Sequence, residues 1–167
     1  MRFAAEAACL LAMLAGGCAT SPPDVRVDVP FLRQEEGHCG ESALAMLLTY
    51  AGKPADPALL RRRLHLPVLN GTVTDLMVAT AREQGASARR VNSSDPSSAS
   101  SSMIAPMVAL LGPFDKGGVG HYVVVTGYHA GRWVEMHSGR APNRRIAWSK
   151  FMDRWAGSEY EGLVIDP

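Results

Sequence analysis

Cysteine is scarce in this chain, with three in 167 residues, at positions 9, 18 and 39. Charge of either sign is not in excess: 17 Lys and Arg face 16 Asp and Glu, for a net charge of +1. That balance excludes the strong positive field that nucleic-acid backbones require, so no nucleic-acid partner is expected. The apolar run near the N-terminus, Ala7 to Leu14, is too short to span a bilayer. No internal repeat is present, and no short paired-ligand motif of the kind that holds zinc.

What is there begins with "MRFAAEAACLLAMLAGGCAT", where one Arg precedes the short apolar run. This is the shape of a secretory signal. The ending "LAGGC" resembles a bacterial lipoprotein signal, which implies lipid on Cys18 as the first mature residue, with an ordinary cleaved signal as the alternative. The expected organisation is a signal over residues 1–17, a polar, proline-bearing tether over 18–28, and one domain over 29–167. About 150 residues suffice for a single core. Ala19 after the cysteine implies, in a Gram-negative host, the periplasmic side of the outer membrane. The chain would then meet the membrane through its N-terminal lipid. With Cys9 in the signal and Cys18 lipidated, Cys39 has no partner for a disulfide and is a lone thiol in an oxidising compartment. A thiol that persists there is either deeply buried or chemically used.

The domain reads as helices followed by strands. Ala43, Met46, Leu47, Tyr50 and Ala51 recur at helical spacing and predict a helix beginning close to Cys39 and stopped by Gly52 and Pro54. Asp56 and Pro57 open a second helix through "ALLRRRL", whose three arginines read as a solvated face. Thr72 with Asp75 resembles a capping box for a third, closed by Gly85. The serine-rich "NSSDPSSASSS" is read as a surface loop in preference to a poor helix capped at Asp95. "MVALL" and "HYVVVTGY" then predict buried strands on either side of a glycine-rich loop. "WVEMH" completes a hairpin, "IAW" adds a strand, "SKFMDRWAG" a helix capped at Ser149, and "EGLVI" a last strand. Such an order implies α+β with an antiparallel sheet.

The chemistry gathers at "FLRQEEGHCGESALAMLLTYAG". A thiol attacks as thiolate, and a helix start with a nearby imidazolium lowers its pKa to roughly 3.5–7.5. Cys39 stands where both are to be expected, and Gly40 reads as letting the backbone approach a substrate; the alternative is a small hydrophobe packed at a helix start. Gln34, at the end of the extended "VPFL", places a side-chain amide that could share a carbonyl oxygen with the Cys39 N–H, which is an oxyanion hole. His121 enters a buried strand after the glycine-rich loop, as a general base must be rigid and yet reach an open site. A zinc set drawn from His121, His129, His137, His38 and Cys39 has poor spacing, so no metal and no cofactor are expected. His65 and His129 read as surface residues, and the role of His137 is left open.

The order Gln, Cys, His in "VPFLRQEEGHCGESALAMLLTYAG", "PMVALL" and "GHYVVVTGY" resembles the C39-like branch of the papain-like cysteine peptidases, in particular its small exported members, from about Val29 to Val164. The resemblance implies a papain-like fold with N-terminal helices packed on an antiparallel β-sheet. It also implies a peptide or protein substrate, with Cys39 as nucleophile, His121 as base and Gln34 at the oxyanion. Relatives fused to export ABC transporters cut leader peptides after a double glycine, a specificity not carried over here. Where many relatives have an aspartate after the strand "WVEMHSG", this chain has Ser138, which can set the tautomer of the base but supplies no charge. Glu41 also replaces the usual small residue or proline. Two other readings follow from these departures: a degenerate fold that binds peptide or scaffolds an envelope complex, and a thiol enzyme of acyl-transfer or amidase type.

Overall fold

The computed structural model of the protein describes residues 24–112 and 120–166. The expected signal, the lipidation position Cys18, the first part of the tether and the middle of the glycine-rich loop lie outside them. The remainder of the tether joins the sheet: Val25–Arg26 (β1) pairs antiparallel with Tyr128 and Gly127.

Three helices follow: Cys39–Tyr50 (α1), Pro57–Leu64 (α2) and, after a 3-10 turn at Pro67–Leu69, Thr74–Glu83 (α3). The helix α2 starts as its sequence dictates, with the Asp56 carboxylate accepting the N–H of Ala58 and Pro57 in first position. In contrast, α3 starts beyond the expected cap. Val73 holds the cap position with no side-chain bond, and the Thr72 hydroxyl is buried without a partner. Nor is α1 apolar on one stripe only. Every residue from Gly40 to Leu48 is buried, while Tyr50, expected on the stripe, is 44% exposed. The helix lies between the sheet and two other helices, so burial of Leu44, Met46, Leu47 and Leu48 each contributes about 1.5–3 kcal/mol.

The strand Ser87–Val91 (β2) has no counterpart among the sequence expectations, because its two arginines break the alternation. Next comes Pro96–Ser102 (α4), in the segment expected as a loop. Asp95 explains the difference: its carboxylate accepts the N–H groups of Ser97 and Ser98, and this local cap outweighs the weak helix preference of serine. Chiefly through the Ser98 N–H, and then the Ser97 hydroxyl, the carboxyl is held at about 2. The strands Met107–Leu111 (β3), His121–His129 (β4), Trp133–Ser138 (β5) and Ala141–Ala147 (β6) form a meander. Trp148–Ala156 (α5) follows, capped at Ala147 and not at Ser149, and Gly162–Asp166 (β7) ends the fold.

The seven strands make one sheet in the order β2-β7-β3-β4-β5-β6, with β1 on β4, and every pairing is antiparallel. Alternation along β3 and β4 divides the core. Val108, Tyr122 and Val124 pack under α1 and α3, whereas Met107, Ala109, Leu111, Val123 and Val125 pack with Phe151 and Trp155 of α5. This is α+β architecture, with the helices packed on an antiparallel sheet as expected. Among the described residues no helix is long and apolar enough to cross a membrane.

Candidate active site

Cys39 is the first residue of α1, and His121 the first of β4, where it sits opposite Leu111. By the alternation of β4, His121 belongs to the α5 face and Tyr122 to the α1 face, so the two candidate reacting groups come from opposite layers and line one cleft at the end of the sheet. There Gln34, Cys39, Asn70, Gly120, His121, Gly139 and Arg140 are among the residues lining one cleft of about 420 Å³. Cys39 is partly exposed to it and unpaired.

Tyr122 is the local organiser. Its N–H points at the Cys39 sulfur, its carbonyl accepts the Gln34 Nε2–H at 3.1 Å, and its hydroxyl lies 2.9 Å from Thr74 Oγ1. Burial pushes that hydroxyl up to about 12. Gly40 serves this packing: a Cβ there would collide with the Thr72 methyl and press on the Tyr122 ring. Gln34 is itself buried, at 5% exposure. Its Nε2 also lies 3.4 Å from the Cys39 carbonyl, its Oε1 accepts the Gly139 N–H at 2.6 Å, and its own N–H donates to the Gly139 carbonyl at 2.9 Å. The segment ahead of α1 is thereby riveted to the turn after β5, the turn that follows Ser138.

Ser138 Oγ lies 3.2 Å from His121 Nε2. That contact engages Nε2 and not Nδ1. The second wall of the site, a depression of about 600 Å³, contains His121, Ser138, Arg140, Arg144, Lys150 and Arg154 among its lining. Cys39 also lines an apolar recess of about 240 Å³, together with Leu69, Thr72, Leu110 and Tyr122 among others.

The electrostatics differ from the sequence expectation of a lowered thiol pKa. Burial pushes the Cys39 thiol up; the N–H of Tyr122 opposes this, the Glu41 carboxylate adds to it, and the N–H groups of Gly40 and Cys39 oppose it again. The helix-start donors are present, but desolvation outweighs them. His121 is pushed down, first by burial and then by the positive charges of Arg154 and Arg144. Both shifts favour the uncharged forms, the thiol over the thiolate and the imidazole over the imidazolium.

Of the other histidines, His129, expected at the surface, is buried at the end of β4 and bonded to Asp24 at 2.7 Å. His137 is buried, with Nε2 2.8 Å from the Val29 carbonyl, Nδ1 accepting the Asn143 N–H, and Phe31 edge-on to the ring. His65 packs beside His38 and Glu41. The sequence reading missed Tyr122, Gly139 and Arg140, whose places in the site arise from pairings between distant segments and leave no local signal.

No curated protein matches the sequence. Among solved structures, a double glycine motif protease from an AMS/PCAT transporter, crystallised with its leader peptide, superposes with a TM-score of 0.71 at 22% identity, covering 86% of this chain and 94% of that one. A C39-like protein from Bacillus anthracis gives 0.70 at 18% identity, with 87% and 98% covered. The peptidase domain of Streptococcus ComA, a bifunctional ABC transporter of a quorum-sensing pathway, gives 0.63 at 19%, with 83% and 96% covered. At these identities the likeness concerns the fold. The sequence itself matches the model of the peptidase C39 family over residues 28–159, most of its length. With that match spanning both the helical layer and the sheet, the chain belongs to the peptidase C39 family.

Proposed function

We propose that the chain is a cysteine peptidase held at the bacterial envelope by lipid on Cys18, with Cys39 as nucleophile, His121 as base and Gln34 at the oxyanion. The observation that carries the reading is the presence of all three side chains in one cleft. In this mechanism the thiol proton passes to His121 Nδ1 as the sulfur bonds to the peptide carbonyl carbon. The carbonyl oxygen, now negative, takes the Cys39 N–H and a Gln34 Nε2–H. Of the two carbonyls that Gln34 meets at rest, Cys39 at 3.4 Å is the more weakly held and is the one given up. His121 returns the proton to the leaving nitrogen as the C–N bond breaks. Water, deprotonated by the same imidazole, then cleaves the thioester to a carboxylate and free thiol.

Ser138 orients the ring through Nε2 in this reading and supplies no charge to the imidazolium, so the rate is below that of an aspartate-bearing site. The basic wall of Arg140, Arg144 and Lys150 favours substrates with acidic groups on one side of the scissile bond, and the apolar recess favours an apolar side chain on the other. A second reading, a peptide-binding module without turnover, is favoured by the burial that disfavours both thiolate and imidazolium and by Ser138 in place of a carboxylate. Incubating the full chain with an unbiased peptide mixture and sequencing the products by mass spectrometry separates the two. Cleavage that disappears in Cys39→Ser supports the peptidase; binding of peptides with no new termini supports the module.

A further inference from the structure

In the first turn of α1, two residues after Cys39, begins a second cluster that the proposed peptide chemistry does not use. Glu41 is only 2% exposed. Its Oε1 is 3.2 Å from His38 Nδ1 and 3.4 Å from His65 Nδ1, the latter outside hydrogen-bond geometry. Its Oε2 and the His65 Nδ1 are enclosed without any hydrogen-bond partner. The two imidazole rings stand 4.7 Å apart, tilted by 49°. One ligand atom from each of the three residues falls within 4.8 Å of the others.

A buried carboxylate is costly unless its charge is met and its oxygens are satisfied. A proton on either imidazole meets the charge through Oε1 and leaves Oε2 orphaned. A metal ion meets the charge through Oε1 and, where the carboxylate binds it through both oxygens, satisfies Oε2 as well. Ligand atoms 2.0–2.2 Å from a tetrahedral ion are separated by about 3.3 Å, and the observed separations of 3.2 and 3.4 Å fit that spacing. Two imidazoles and one carboxylate form a donor set suited to zinc and its neighbours, with a position left for water. The chain builds the set from two elements. His38 caps α1 and Glu41 follows three residues later on the same face, while His65 ends α2, where unsatisfied carbonyls favour a cation.

We propose that His38, Glu41 and His65 form a binding site for a divalent transition-metal ion of the zinc type. The ion ties the segment before Cys39 to the end of α2, from which the chain runs on to Asn70, another residue of the cleft wall. No short motif announced the site because His65 arrives from a different helix.

The test uses the full chain, stripped of metal with a chelator and titrated with Zn²⁺ by calorimetry and with Co²⁺ by visible absorption. One equivalent is expected to bind, with the absorption of a low-symmetry nitrogen and oxygen site. Glu41→Gln and His65→Gln are each expected to weaken binding by more than about tenfold. Zn²⁺ should raise the thermal midpoint of the wild type and not of these variants. Cys39→Ser should bind as the wild type does, which separates the site from a thiol adduct and from the peptidase reading. His65 is partly exposed at a helix end, so its variant carries the test should Glu41→Gln fail to fold. Absence of saturable binding, binding unchanged in His65→Gln, or binding lost in Cys39→Ser would each overturn the proposal.

Discussion

The thiol and the imidazole each feel a neighbouring charge, of opposite sign, and the order is the reverse of what a preformed ion pair needs. Behind the sulfur stands the carboxylate of Glu41, which disfavours a thiolate. Behind the imidazole stand Arg154 and Arg144, which disfavour an imidazolium. Burial acts on both groups in the same direction as these charges, and the backbone N–H groups aimed at the sulfur are outweighed. A cysteine at a helix start is therefore not activated by position alone. On the proposed peptidase reading, activation would have to come with the substrate, because neither group is poised in its charged form beforehand.

The strongest way to break the comparison is to remove one partner. Cys39→Ala should abolish peptide cleavage, and His121→Ala should lower its rate by roughly 10³-fold or more, measured on any peptide that the wild type cuts. Next is Gln34→Ala. Loss of an oxyanion donor lowers kcat by roughly 10²–10³-fold, and loss of the buried bridge to Tyr122 and Gly139 costs about 1–3 kcal/mol in denaturant unfolding. A fall in stability with kcat intact would leave Gln34 as a rivet only. Gly40→Ala should cost about 1–3 kcal/mol through overpacking against Thr72 and Tyr122, read by the urea midpoint.

Smaller effects sharpen the electrostatic half. Because the folded pKa of His121 lies below 6.5, the unfolded chain takes up a proton that the native imidazole resists as pH falls through that value. Stability contributed by this group is complete above pH 6.5 and is lost below it, down to the folded pKa. The difference in unfolding free energy between wild type and His121→Gln should accordingly narrow from pH 7.5 to pH 5. Ser138→Asp should move the imidazole titration upward in an NMR experiment and Ser138→Ala should not, since only the carboxylate offsets Arg144 and Arg154.

Local signals were legible and long-range ones were not. Asp56 with Pro57, the apolar run ending at Gly52, and the β-branched strand after His121 each declare their element within a few residues, and the α+β class follows from their order. The serine-rich stretch misled because composition argued for a loop while one carboxylate, Asp95, was enough to seat a short helix. The strand β2 was missed because Arg89 and Arg90 sit side by side on a sheet edge, where alternation carries little weight. In the site, Cys39 and His121 stood out by their positions at a helix start and a strand entrance. The tie between Gln34 and Gly139 and the cluster joining Glu41 to His65 depend on which distant segments pack together, and single-residue chemistry is blind to that.

The resting state of the thiol gives the most direct test. Alkylation of Cys39 by iodoacetamide, followed by mass spectrometry from pH 4 to pH 10 in metal-free buffer, reads its thiolate fraction. The account expects a single rise with a midpoint above the ordinary thiol value and little reaction on the acid side. A plateau of reactivity extending below neutrality, and lost in His121→Ala, would show a thiolate–imidazolium pair already formed and contradict it.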